Sequence, residues 1–172
     1  MPNRDISHLR QDYRADKLDI DSVSENPLVQ FDKWLHEALN AEMLEPNAMA
    51  LSTVNAASKP SCRIVLLKEL SKEGLIFYTN YESNKGKEIL SHPSVAVTFF
   101  WDVLERQVRI EGLAEKISGE QSDRYFDSRP DDSKIGAIAS PQSEVVDGRE
   151  ELEKRFKEAA ELPLKRPEHW DG

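Results

Sequence analysis

The chain has 172 residues, 38% of them hydrophobic, with 23 Lys plus Arg against 32 Asp plus Glu and a net charge of −9. That length suits one domain with a real core. The acidic balance argues against nucleic acid as the main partner, because phosphate backbones call for a basic surface, yet it leaves room for one small phosphorylated ligand in a local basic pocket. The single cysteine, Cys62, excludes an internal disulfide framework, fits a reducing compartment and reads as a buried, inert thiol. MPNRDISHLRQDY has no signal-peptide core and no apolar run reaches the length of a membrane span. The expectation is a cytoplasmic protein with no membrane partner.

Residues 1–24 are polar and weakly patterned, an N-terminal arm ahead of a single domain over 25–172. NPLVQFDKWLHEALNAEM carries Leu28, Phe31, Leu35, Ala38, Leu39 and Met43 at helical spacing, with Asn26 as cap and Pro27 at the first helical position. AMALSTV (48–54), SCRIVLLK (61–68) and GLIFYTN (74–80) read as three strands, joined by NAASKP and a KEG turn. SNKGKEIL is a short helix capped by Ser83 and stopped before Pro93. SVAVTFFW (94–101) is a strongly apolar strand, and LERQVRIEGLAEKI alternates from Leu104 with Arg106 as the one charged intruder. Ser118 and Gln121 make a capping box, and Asp147 with Glu150 predicts a second one opening a last helix. Along that helix Glu151 and Arg155, then Glu153 and Lys157, fall four apart. Antiparallel strands with short turns and flanking helices predict a mainly β barrel or sandwich.

The chemistry lies in basic and hydroxyl-bearing positions. Four scattered histidines show no metal-ligand spacing, so no metal is expected, and there is no Gly-rich phosphate loop or nucleophile elbow. Arg63, Lys68 and Lys85 bracket strands, where charges often only guard sheet edges. Arg63 and Lys68, five apart, leave opposite faces of a regular strand. A ligand lying across the strand end, phosphate at one end and reactive atoms at the other, fits them better than one small anion. Tyr78 and Thr79 are ordinary strand residues on this reading. In RYFDSRPDDSKIGA, Tyr125, Arg129 and Ser133 recur every four residues and would line one helical face if Pro130 began a new turn, a phosphate clamp of one Arg and two hydroxyls.

RIVLLK, FYTN, LERQ, YFDSRPDDSKIGA, SPQS and the final HW stand in order along the chain. With these motifs the sequence resembles the pyridoxamine 5′-phosphate oxidase family, FMN enzymes that make pyridoxal 5′-phosphate. The resemblance implies a Greek-key split β-barrel and a homodimer with an FMN site at the subunit interface. It assigns Arg63, Ile64, Val65, Leu66, Leu67 and Lys68 to the cofactor, with Arg63 on its phosphate and Lys68 reaching flavin and substrate. Tyr78, Thr79, Asn84, Lys85, Gln107, Gln142 and Ser143 complete the flavin set. Arg10, Gln11, Asp12 and Tyr13 resemble a segment covering the substrate, and Tyr125, Arg129 and Ser133 its phosphate clamp.

The implied reaction oxidises pyridoxamine or pyridoxine 5′-phosphate with O2 as acceptor, giving H2O2, and no protein residue is assigned as catalytic because the flavin carries the chemistry. Asn84 stands where the family usually has Arg, and Asp171 where it has Gly. The resemblance also places further strands, with a flavin-contacting Trp and an Arg-Leu-His-Asp-Arg motif, beyond the HWDG at which this sequence stops. Two alternatives stay open: a non-catalytic FMN- or vitamer-binding protein on the same barrel, and a different flavin oxidase or reductase.

Overall fold

A computed structural model describes residues 5–9, 12 and 18–171, the last by its backbone alone. The helices are α1 (Pro27–Asn40), α2 (Asn84–Ser91), α3 (Gly119–Ser128), α4 (Asp131–Ala139) and α5 (Arg149–Ala160). The strands are β1 (Ala48–Val54), β2 (Pro60–Leu66), β3 (Glu69–Leu70), β4 (Leu75–Ile76), β5 (Thr79–Asn80), β6 (Ser94–Trp101), β7 (Arg106–Leu113) and β8 (Trp170–Asp171). The chain divides into two compact units, residues 1–46 with 100–108, and residues 47–99 with 109–172. No helix among the described residues is long and apolar enough to cross a membrane.

In the first unit α1 starts where its sequence dictates. The Asn26 side chain accepts from Leu28 N–H (2.9 Å) and Val29 N–H (3.4 Å), and Pro27 follows at the first position. Such a cap contributes about 1 kcal/mol. The helix ends at Asn40, short of Met43, because Ala41 leaves helical geometry with ψ at 154°. Its buried face carries Phe31, Leu35 and Ala38. Phe31 stacks near Trp101, whose indole N–H donates to Pro46 O at 2.8 Å. The charged intruder is also explained. Arg106 donates to Glu37 Oε2 at 2.7 Å and lies 5.1 Å over the Trp34 ring, so its charge is neutralised and its stem packed.

The second unit contains β1, β2, residues 94–99 of β6 and residues 109–113 of β7, in the sheet of order β2-β1-β6-β7. β1 pairs antiparallel with β2 (Leu51 opposite Arg63) and with β6 (Leu51 opposite Val97). The period of two puts Met49, Leu51 and Thr53 on the buried face of β1. The turn from β1 to β2 closes on Asn55, whose Oδ1 accepts from Ala57 and Lys59 N–H, with Ser58 at φ 58°. β2 and β7 are the end strands, and the sheet does not close on itself.

Several expectations need correction. Cys62 is exposed, not buried. Alternation along an end strand turns Cys62 and Ile64 outward while Ser61, Arg63 and Val65 face the other way. The expected strand over 74–80 is two short pieces: β4 pairs with β3, and β5 pairs with β8, Asn80 opposite Trp170. β2 stops at Leu66, where Asn47 takes over the backbone. Its carbonyl accepts from Leu67 N–H and its side-chain amide donates to Leu67 O, both at 2.9 Å. β7 starts at Arg106, after a 3-10 turn over Asp102–Leu104. The last helix has Gly148 as its cap with no side-chain bond, so the box at Asp147 and Glu150 does not form. Glu151 pairs with Arg155 as expected (2.8 Å), whereas Glu153 takes Arg149.

Candidate functional site

The start of α2 gathers several of the expected residues. Ser83 is fully buried; its Oγ donates to Asn80 O at 2.6 Å and accepts from Gly86 N–H at 3.3 Å, capping the helix. Lys85 Nζ donates to Ser83 Oγ (3.1 Å) and to Gln142 Oε1 (2.7 Å). Asn84 N–H donates to Ser143 Oγ at 3.3 Å, and Ser143 itself holds a left-handed backbone, φ 73°. Residues almost 60 positions apart thus converge on one helix end. A non-glycine residue at positive φ is costly and tends to persist where neighbouring contacts fix it.

Arg63 joins this cluster from β2. Its Nη2 donates to Glu88 Oε2 at 3.0 Å and to Ser61 Oγ, and its Nη1 to Thr53 Oγ1 and Leu51 O (3.4 Å). The Lys85 amine is held below its ordinary value of 10.5, mainly by burial and next by the Arg63 charge, with Glu88 opposing. Glu88 is held below 4.5, mainly by the Thr53 hydrogen bond, with Ser61 and Arg63 adding to it. Two cations, hydroxyls and a helix N-terminus suit a phosphate, and a half-buried Lys85 whose ammonium is disfavoured would gain from a further anion.

The second cluster is aromatic. Tyr78, between β4 and β5, stacks on Tyr125 of α3, and both rings lie nearly parallel to Trp170, at 5.5 and 5.9 Å. Phe126 meets Trp170 edge-on at 5.2 Å. Arg129 lies 4.7 Å over the Trp170 ring and 5.7 Å over Phe126. Its Nη1 is buried with no hydrogen-bond partner among the described residues, and burial lowers its pKa. An orphaned guanidinium N–H is costly unless a ligand satisfies it.

The expected single helical face is replaced by a joint. Tyr125 is on α3, Arg129 caps its end, Pro130 precedes α4, and Ser133 lies in the first turn of α4. The residue before a proline avoids helical geometry, and Arg129 sits at ψ 148°.

The remaining candidates are spread out. Ile64 is exposed and Leu67 buried, with Val65 and Leu66 between. Lys68 is exposed, its N–H bonded to Ile76 O. Thr79 is buried on β5, and Gln107 is exposed on the part of β7 that belongs to the first unit. Asp12 is exposed, while Arg10, Gln11 and Tyr13 lie outside the described residues. A cavity of about 720 Å3 lies by Leu75, Phe77, Ile89, Leu113 and Lys116; Thr79 lines it, but neither Lys85 nor Arg129 does.

Sequence reasoning missed Glu88, Thr53 and Ser61, and used Trp170 only within the final HW motif, without a role in the site. Ser61 and Arg63 share one strand face and Glu88 lies three residues after Lys85 on one helix, so a pattern existed, but only the tertiary fold joins the two segments.

Comparison with known proteins gives this geometry a family. The family model described as pyridoxamine 5′-phosphate oxidase matches residues 35–162. A pyridoxine/pyridoxamine 5′-phosphate oxidase of Burkholderia thailandensis is 52% identical over 171 residues, covering 97% of this chain and 79% of that protein, and one from Burkholderia mallei is 51% identical with the same coverage. Among solved structures, PhzG from Burkholderia lata 383, in complex with tetrahydrophenazine-1-carboxylic acid, superposes with a TM-score of 0.85 at 26% identity over 91% of this chain and 80% of that one. A pyridoxamine 5′-phosphate oxidase-related, FMN binding protein of Nostoc punctiforme shares the fold, with a TM-score of 0.68 at 16% identity, covering 86% of this chain and 79% of that one. The chain belongs to the pyridoxamine 5′-phosphate oxidase family.

Proposed function

We propose that the protein is an FMN-dependent oxidase that converts pyridoxamine or pyridoxine 5′-phosphate to pyridoxal 5′-phosphate. The observation that carries this reading is the buried Nη1 of Arg129, without a hydrogen-bond partner among the described residues, beside Tyr125, whose ring stacks on Tyr78. A residue expected at the flavin and one expected at the substrate are thereby in contact. The half-identical relatives named as oxidases of these vitamers support the same substrate class.

In this reading Lys85, Asn84, Gln142 and Ser143 hold the cofactor phosphate at the start of α2, with Arg63 beside them. Residues 64–68 and Thr79 complete the cofactor's surroundings in this unit, and Lys68 reaches flavin and substrate. Tyr125, Arg129 and Ser133 clamp the substrate phosphate. The chemistry that FMN supplies when bound is a two-electron oxidation of the substrate carbon bearing the amine or alcohol, with dioxygen as acceptor and hydrogen peroxide as product. The chain's own part is to bind two phosphates at a fixed separation and so hold the two rings in register. The single cysteine fits a reducing, cytoplasmic compartment, and the family resemblance implies a homodimer with FMN between subunits.

The test is an anaerobic titration of the FMN-saturated protein with pyridoxine 5′-phosphate, following the flavin's visible band. Bleaching that reverses in air supports the oxidase. A bound flavin that never bleaches replaces it with the binding protein. The likeness to PhzG favours one further reading, an oxidase of another ring substrate; bleaching by such a compound but not by either vitamer would select it.

A further inference from the structure

Glu88 sits inside the cation cluster. Its Oε2 accepts from Arg63 Nη2 at 3.0 Å, from Ser61 Oγ at 2.7 Å and from the Thr53 hydroxyl, and its side chain is only 13% exposed. The same contacts absorb Arg63. A guanidinium has five N–H donors, and the bonds to Leu51 O, Thr53, Ser61 and Glu88 occupy its two Nη groups. Lys85, one turn earlier on α2, feels both charges. A carboxylate at an anion site works against the anion, since like charges repel. Here it has another effect: it supplies the negative charge that two neighbouring cations need in a partly buried place.

We propose that Glu88 is a built-in counter-anion that sets how tightly this site takes a phosphorylated ligand. It keeps Arg63 and Lys85 together in the free protein and holds the affinity below what the two cations alone would give. Glu88 acts through Arg63 and does not touch the ligand. The proposal rests on the reading that Arg63 and Lys85 face the cofactor phosphate.

Glu88→Gln keeps the shape and one acceptor oxygen for Arg63 while removing the charge. FMN and riboflavin, which differ by the phosphate, are titrated into the wild type, Glu88→Gln, Glu88→Asp, and Glu161→Gln as an equal charge change on the exposed end of α5. Glu88→Gln is expected to bind FMN about tenfold more tightly, to leave riboflavin unchanged, and to melt lower without ligand. Glu88→Asp, with its charge intact, and Glu161→Gln gain nothing. FMN affinity that is unchanged or weaker in Glu88→Gln, or a gain in Glu88→Asp, overturns the proposal while a wild-type preference for FMN over riboflavin leaves the phosphate reading standing. A wild type that does not prefer FMN overturns both.

Discussion

The rings of Tyr78 and Tyr125 lie face to face, their centroids 3.8 Å apart and their planes 9° from parallel. This contact ties the segment between β4 and β5 to α3. An aromatic pair of this kind contributes about 0.5–1.5 kcal/mol beyond the area it buries. Tyr125→Phe keeps the stack and removes only the hydroxyl, so its unfolding free energy should match wild type within about 0.5 kcal/mol, while KM for the phosphorylated substrate rises. Tyr125→Ala removes the stack as well and should lose about 2 kcal/mol, the discounted cost of truncating a half-buried aromatic. Urea denaturation of both variants separates the two roles; equal losses would show that the hydroxyl, not the ring, holds the joint.

Arg129 offers a sharper separation of cofactor from substrate. Its Nη1 lacks a partner among the described residues, and its guanidinium carbon lies 4.7 Å over the Trp170 ring. Lysine keeps the charge but loses the fork and the stacking surface. Arg129→Lys should raise KM for the phosphorylated vitamer by about tenfold or more, the cost of about one charge-assisted hydrogen bond. FMN affinity should be unchanged, because the Lys85 cluster is built from other residues. A parallel loss of FMN binding would place Arg129 on the cofactor instead.

Much of this arrangement was legible in the sequence, and the part that was not has a physical cause. α1 and α2 were readable because Asn26 and Ser83 announce their caps, and β1 because Met49, Leu51 and Thr53 alternate. Local chemistry decides such features. The break between β4 and β5 was invisible: GLIFYTN has the composition of one strand, and its division depends on pairing with β3 on one side and with Trp170, some 90 residues on, at the other. Cys62 was misjudged for a related reason, since burial of a strand residue depends on which face is covered. The union of Arg63 with Glu88 is tertiary as well, for nothing local to either residue announces the other.

Gly86 tests the packing that brings α2 to its place. A Cβ there would stand 2.4 Å from Tyr81 O and 2.6 Å from Tyr81 Cα, backbone atoms that cannot turn aside. Gly86→Ala should therefore destabilise by about 1–3 kcal/mol, despite the better helix propensity of alanine. Because α2 must shift, FMN affinity should fall too. A thermal midpoint equal to wild type would mean that the approach of α2 to Tyr81 is looser than the geometry requires.

The pH dependence of the cluster has opposite signs at its two carriers of charge. Glu88 has a folded pKa below 4.5, so the folded chain holds its carboxylate more strongly than the unfolded chain does. Its contribution is fully present above 4.5 and is lost as pH falls through the folded value. The stability gap between wild type and Glu88→Gln should therefore be level from pH 7 down to about 5 and then close. Lys85 has a folded pKa below 10.5, so the unfolded chain binds the extra proton in the window beneath 10.5. There, stability rises with pH as the buried ammonium is relieved. A phosphate that favours the charged amine would cancel this rise. FMN-loaded protein should thus lack the alkaline gain of the free protein, and FMN affinity should fall across the same window. Urea denaturation from pH 8 to 10.5, with and without FMN, measures both. Parallel curves would remove Lys85 from the phosphate site.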